Sequence, residues 1–265
     1  MIKLIASDMD GTLLDENTRV PEETFDLILA LRERGVHFVA SPGRRYDTLR
    51  WFLGPVADEI DYVASLGTQV YADGQLLDRE VFSTLSVMRL FETCAMFDCL
   101  HLAVYEDDAT YLIDDLSSYI SELDKDLGSA IRVYDPPSPE VNIIKVAVCC
   151  DRPERITEMA YVLERELGEW FTFLPSGSRW IDVAPVRVNK AVGLAQVMRY
   201  YGVTTDEVMA FGDSMNDYSM LRFVGHPVVV ENARYSLRQI AERVIGPNSE
   251  HAVQRAMREL LDELS

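Results

Sequence analysis

Two short acidic segments carry the sharpest chemical signal in the chain. Asp8-Met9-Asp10-Gly11-Thr12 follows the apolar run Ile2 to Ala6, and Gly212-Asp213-Ser214-Met215-Asn216-Asp217 follows the apolar run Val208 to Phe211. Side chains two apart on an extended segment share a face, so Asp8 and Asp10 can converge just beyond a strand end, where open α/β sheets place ligands. Two carboxylates that close repel unless a cation lies between them. Hard oxygen donors suit Mg2+, which keeps several waters and takes only one or two carboxylates. Asp213 is a candidate third carboxylate at a second strand end. The plain alternative for the first segment, taken alone, is an acidic Asp-Gly turn.

Two more features belong with these. Lys190 opens a helical pattern that continues through Val192, Leu194, Ala195 and Val197. A lysine at a helix N-terminus works against the macrodipole, and a nearby anion would account for it; a solvated lysine is the simpler reading in isolation. Ser41 follows the apolar run Val36 to Ala40 and precedes Pro42-Gly43-Arg44-Arg45, which sets a hydroxyl and a glycine-freed backbone at a third strand end. The remaining metal-type residues are less informative. His37, His101, His226 and His251 are scattered without metal spacing, and Cys94, Cys99, Cys149 and Cys150 lie in mainly apolar surroundings without CxxC pairs, so they are read as buried free thiols.

The elements that would position these groups alternate between short apolar runs and amphipathic segments. A helix opening at Pro21-Glu22 has apolar positions Phe25, Ile28 and Leu29, with Gly35 past its end. Further strands are expected at Tyr62 to Ser65, Pro227 to Val230 and Val244-Ile245, which implies an α/β domain with a parallel sheet covered on both faces. Asp73-Gly74, between short apolar runs in Val70 to Leu77, signals a hairpin.

From about Val81 to Pro185 the rhythm changes. Helices are expected at Leu85 to Phe97, Ser117 to Leu127 and Glu154 to Leu167, and strands at Leu102 to Tyr105, Tyr111 to Ile113, Ile143 to Cys149, Trp170 to Leu174 and Trp180 to Val183. Asp107-Asp108 and Ser176-Gly177-Ser178 read as turns, and the proline-rich Asp135 to Pro139 as a loop. This is an α+β module inserted into the α/β domain, giving a core of residues 1–80 and 187–265 and an insert of 81–186.

Composition narrows the partners. Twenty-five basic against 44 acidic residues give a net charge of -19, which repels nucleic-acid phosphates and anionic membranes. No apolar run approaches the roughly 18 residues of a spanning helix, and the first is too short for a signal segment. A cytoplasmic protein, monomer or homodimer, is the expectation.

Taken in order, the Asp-x-Asp-Gly-Thr loop, the Ser41 loop, Lys190 and the Gly-Asp-x-x-Asn-Asp loop resemble the haloacid dehalogenase superfamily over nearly the whole chain. The insert is similar to the C2 cap of the Cof-like phosphatases, subclass IIB, and Trp180-Ile181-Asp182-Val183-Ala184-Pro185 is similar to their cap-exit strand. The resemblance implies a Rossmann-like core and a Mg2+-dependent phosphatase of a small phosphorylated metabolite, such as a sugar phosphate, nucleotide or phospho-cofactor. It makes Asp8 the nucleophile and a metal ligand, and Asp10 the acid/base with its backbone carbonyl on the metal. Asp213 becomes the remaining metal carboxylate. Met9, Ser41, Gly43, Lys190 and Asn216 would contact phosphate, with Thr12, Ser214 and Asp217 in support, Asp217 serving either the metal or Lys190.

Arg44, Trp180 and Asp182 are candidates for substrate selection, the last two sharing a strand face. Pro42 after Ser41, Leu66-Gly67-Thr68 where Asn-Gly is common, and Ala191 after Lys190 depart from the pattern. A phosphomutase would keep the same residues. A non-catalytic phospho-ligand module would be expected to have lost a nucleophile or metal carboxylate.

Overall fold

The apolar run at the start of the chain folds as strand β1 (Leu4–Ser7), buried along its whole length, as a central strand covered on both faces must be. The computed structural model describes residues 1–106, 109–113, 131–133 and 142–264. The chain divides into two compact units, Met1–Arg79 with Val188–Ser265, and Glu80–Arg187 inserted between these in sequence.

In the first unit β1 is followed by helix α1 (Glu23–Glu33), strand β2 (His37–Ala40), helix α2 (Tyr46–Phe52) and strand β3 (Asp61–Ala64). Helix α1 buries Thr24, Leu27, Ile28 and Leu31. Leu29, expected on the inner face, turns to solvent because the i, i+3, i+4, i+7 stripe starts at Thr24. Strand β4 (Gln69–Ala72) turns into β5 (Gln75–Arg79) through Asp73 and Gly74 at φ 49° and 70°, the pair of positive φ values that a tight two-residue hairpin requires.

The inserted unit contains helix α3 (Thr84–Cys94), strands β6 (Leu100–Tyr105), β7 (Thr110–Ile113), β8 (Ile131–Val133) and β9 (Lys145–Cys150), helix α4 (Ile156–Leu167), and strands β10 (Phe171–Ser176) and β11 (Trp180–Pro185). Its sheet runs β10-β11-β9-β6-β7-β8, antiparallel except for β7 with β8. Helices α3 and α4 share a hydrophobic cluster with Leu102, Val104, Val146, Val148, Ile181 and Val183, which alternate along their strands onto one face. Strand β8 was not anticipated. The expected turn at Asp107-Asp108, helix at Ser117 to Leu127 and proline-rich loop lie outside the described residues.

The chain then completes the first unit with helix α5 (Lys190–Tyr201), strand β12 (Val208–Gly212), helix α6 (Tyr218–Phe223), strand β13 (His226–Val230), helix α7 (Tyr235–Arg238), strand β14 (Arg243–Ile245) and helix α8 (Ala252–Glu263). The sheet order is β14-β13-β12-β1-β2-β3-β4-β5. It is parallel from β14 to β3, and the β4–β5 hairpin adds two antiparallel strands at one edge, so the expected parallel sheet is a mixed one. Among the described residues no helix is long and apolar enough to cross a membrane.

Candidate active site

Strand register brings three of the four segments level. Ser7 lies opposite Ala40 on β2 and Phe211 on β12, so the next residues, Asp8, Ser41 and Gly212, emerge side by side at the carboxyl ends of adjacent parallel strands. Asp8 N donates to Phe211 O at 3.0 Å and Ser41 N to Ser7 O at 2.8 Å. Asp8 is only 4% exposed. The chain then coils through Met9, whose side chain enters the core, and closes with Leu14 N donating to Met9 O at 3.0 Å. Gly11 sits at φ 76°, and a Cβ there would stand 2.7 Å from Asp213 Oδ2. Glycine is therefore required both for the backbone and for the close approach of the two acidic loops. Thr12 Oγ1 joins them directly, donating to Asp213 Oδ1 at 3.2 Å.

Lys190 is fully buried; its Nζ donates to Asp8 Oδ1 at 2.7 Å and to Asp217 Oδ1 at 2.6 Å. The helix that carries it is capped by Asn189, whose side chain accepts from Val192 N at 3.0 Å. Helix α5 can lie against the sheet because Gly193 has no side chain: a Cβ would meet Val63 Cγ1 at 2.5 Å. Asp217 is engaged on both oxygens, since Oδ2 also accepts from Asp213 N and Ser214 N, each at 3.0 Å. It therefore orients Lys190 and holds its own loop shut.

One carboxylate oxygen each from Asp8, Asp213 and Asp217 lies within 4.8 Å of the others. Burial raises the Asp8 carboxyl well above its ordinary range, as does the neighbouring Asp217, while Lys190 pulls the other way. Asp213 is pushed up to about 7, first by burial and then by Asp217, against the Thr12 hydrogen bond. Burial disfavours the Lys190 ammonium, but Asp217 and Asp8 outweigh it and raise its pKa. Three carboxylates against one ammonium leave the cluster short of positive charge, and the uncommitted oxygens belong to Asp8 and Asp213. That donor set fits a hard divalent cation such as Mg2+.

Asp10 stands apart from this cluster. Its side chain is about half exposed and is gripped by Arg44, whose Nε and Nη2 donate to Oδ2 and Oδ1 at 2.7 and 2.5 Å. The Arg44 guanidinium lies 4.6 Å from the Phe52 ring centre, so this residue, read from sequence as facing substrate, is engaged by Asp10. Gly43, just before it, is half-buried. The Ser41 hydroxyl is buried without a hydrogen-bond partner, which is costly unless something else supplies one. Asn216 is half-buried, with Oδ1 accepting from Ser214 Oγ at 2.8 Å.

Trp180 and Asp182 belong to the inserted unit, on the sheet face opposite α3 and α4. Trp180 packs on Ala103, Tyr105, Leu112, Ala147 and Cys149. Asp182 is buried and faces Lys145, with Oδ1 3.9 Å from Nζ, and Lys145 Nζ is 5.2 Å from the Tyr105 ring centre.

Sequence reasoning missed the side-chain amides that hold the first loop. Asn232 Nδ2 donates to Gly11 O at 2.7 Å, Asn248 Nδ2 to Leu14 O at 2.8 Å and Gln254 Nε2 to Leu13 O at 3.0 Å. The one available signal was Asn232 two residues after an apolar strand, a position favoured for turns.

Comparison with known proteins agrees with this architecture. The chain is 27% identical over 241 residues to HMP-PP phosphatase of Escherichia coli O157:H7, covering 90% of this chain and 87% of that one. The structure of SMU.1108c from Streptococcus mutans UA159 superposes with a TM-score of 0.91 at 21% identity, over 99% and 100% of the two chains. BT4131, described as a subclass IIB sugar phosphatase, superposes at 0.83 with 19% identity, over 97% and 98%; these two likenesses speak to the fold. A family model for haloacid dehalogenase-like hydrolases matches residues 5–257, and the chain belongs to that family.

Proposed function

We propose that this hydrolase is a Mg2+-dependent phosphatase of small phosphorylated metabolites that works through an aspartyl phosphate on Asp8. The observation that carries the reading is the buried Asp8 carboxylate, held by Lys190 on one oxygen and level with the unpartnered Ser41 hydroxyl. The HMP-PP phosphatase relative supports the substrate class.

In this reading an Asp8 carboxylate oxygen attacks phosphorus. The bond from phosphorus to the leaving oxygen breaks, and Asp10 gives that oxygen its proton. Asp10, now a carboxylate, then takes a proton from the water that attacks the phosphoryl-Asp8, which releases phosphate and restores the Asp8 carboxylate. Lys190, Ser41 and Asn216 hold the equatorial oxygens, since phosphoryl transfer is catalysed mostly by positioning and charge neutralisation. Asp8 and Asp213, with the Asp10 carbonyl, hold Mg2+, which neutralises charge on the transferred group. Asp217 keeps Lys190 in place. The Arg44 fork fixes the position of the Asp10 side chain. Trp180 and Asp182, on the inserted unit, select the leaving group.

The test is phosphate release from a panel of phosphorylated metabolites, assayed with Mg2+ and with a chelator. Release from at least one sugar phosphate, nucleotide or phospho-cofactor is expected, and it should stop when the metal is removed. Chelator-insensitive release would sink the metal role, and no release from any member would sink the phosphatase reading.

A further inference from the structure

The turn after β13 contributes no carboxylate to the cluster, yet it touches both acidic loops. Asn232 Nδ2 donates to Gly11 O at 2.7 Å, and two residues on Arg234 N donates to Asp213 O at 3.0 Å. The Asn232 amide has a fixed orientation, because its Oδ1 accepts from Asn248 N at 3.1 Å. The turn is anchored in its middle, where the buried Ala233 donates its N–H to Val230 O at 3.0 Å. A short, anchored segment thus bonds the Asp8 loop with one residue and the Asp213 loop with another.

We propose that this turn is a clamp that sets the separation of the two acidic loops, with Asn232 and the Arg234 amide as positioning groups for the cation held by Asp8 and Asp213. The inference rests on the Mg2+ reading above. Mg2+ demands near-octahedral oxygens at about 2.0–2.1 Å, so a drift of a few tenths of an ångström between ligands on different strands loses affinity. The only direct side-chain bond between the loops among the described residues is Thr12 to Asp213 at 3.2 Å, longer than a good hydroxyl hydrogen bond. The contact at Gly11 prevents the loops from approaching further but does nothing to stop them separating. The Asp8 N–Phe211 O bond and the Lys190 bridge hold the roots of the loops together, and the clamp adds the restraint farther out, at Gly11 and Asp213. Asn232 and Arg234 are both exposed, so their ties can be cut with little loss of global stability.

Isothermal titration of the full-length protein with Mg2+ alone tests this. The variants are Asn232→Ala, which removes the bond to Gly11, and Arg234→Pro, which removes the N–H to Asp213 at a φ of -56° that proline adopts. Each should weaken Mg2+ binding about tenfold, the scale seen when partners of metal ligands are removed, with the thermal midpoint within a few degrees of the parent. Because a clamp fails when either jaw opens, the double variant should bind no more weakly than the weaker single one. Gln254→Leu, which cuts the buried tie to Leu13, should lower the midpoint and spare Mg2+ affinity. Parent-like Mg2+ binding by Asn232→Ala overturns the clamp, as does a double variant whose losses multiply; the first of these decides the matter even if Arg234→Pro does not fold. A parent protein that binds no Mg2+ overturns both the clamp and the metal reading, whereas parent binding with unchanged variants overturns the clamp alone.

Discussion

Each unit buries charge in its sheet, but the two balance it differently. At the carboxyl ends of β1 and β12 three aspartates share one ammonium, that of Lys190. In the inserted unit Asp182 is buried with a cation facing it, Oδ1 lying 3.9 Å from Lys145 Nζ. A buried carboxylate that faces a cation is offset within the fold, whereas a buried excess of carboxylate is held at a cost in stability that a bound cation or proton offsets. The contrast separates a crowded acidic centre, with donor oxygens to spare, from a buried carboxylate that a neighbouring cation already faces.

Neutralising one partner in each place gives the largest expected effect. Asp8→Asn removes a charge from the overcrowded centre while Lys190 keeps Asp217, so the metal-free thermal midpoint should stay level or rise. Turnover should fall by at least about 10^3-fold, because an amide cannot form the acyl phosphate. Asp182→Asn removes the carboxylate that faces Lys145 and should lower the thermal midpoint. Opposite signs in thermal denaturation support the comparison. A destabilised Asp8→Asn, or one that still releases phosphate, breaks it.

A second measurement sharpens the line between Asp8 and Asp10, two carboxylates in one short loop. The first is buried among like charges, and the second is exposed and held by Arg44. If Asp10 moves the proton, Asp10→Asn should cost about 10^2-fold or more in kcat on alkyl phosphates and under about tenfold on aryl phosphates, whose leaving groups hardly need a proton. Equal losses on both would assign Asp10 a structural part only.

How much of this was readable beforehand differs by type of interaction. Features set by local chain chemistry could be read: the Asp73-Gly74 hairpin, the alternation of β11, and the strand-end position of each acidic segment. Lys190 left two readings open, and its complete burial depends on Gly193 letting α5 close on Val63, which spacing alone cannot reveal. Strand β8 is three residues long, too short to show a period. The Arg44–Asp10 fork and the amide ties from Asn232, Asn248 and Gln254 join residues far apart in sequence to backbone or carboxylate oxygens, and such bonds leave no periodic trace.

The smallest expected effect concerns a buried carboxylate outside the crowded active-site cluster. Asp61 opens β3, at the opposite end of the strand from the site, and is 3% exposed. Its Oδ1 accepts from Asp73 N and Tyr201 OH, each at 3.0 Å. Burial nevertheless pushes its carboxyl up to about 6 from 3.8, and the two hydrogen bonds offset only part of the rise. Between those values the folded chain binds more protons at this site than the unfolded one, so stability falls as pH rises through the window and is regained as pH drops. Cooling the comparison to one group, the gain from pH 7 to pH 5 is about 1 kcal/mol. Glu207, whose carboxyl is lowered to about 2 by Lys3 and Thr204, stays ionised in the folded chain across that range and contributes only a small slope of opposite sign. Asp8 and Asp213 are raised as well, and without metal they add a slope of the same sign, so the informative quantity is the difference between parent and Asp61→Asn. Thermal midpoints in chelator at pH 5, 6 and 7 should rise toward low pH less steeply in the variant than in the parent. Parallel slopes would show that Asp61 keeps an ordinary carboxyl, and that burial without crowding is not enough to hold a proton here.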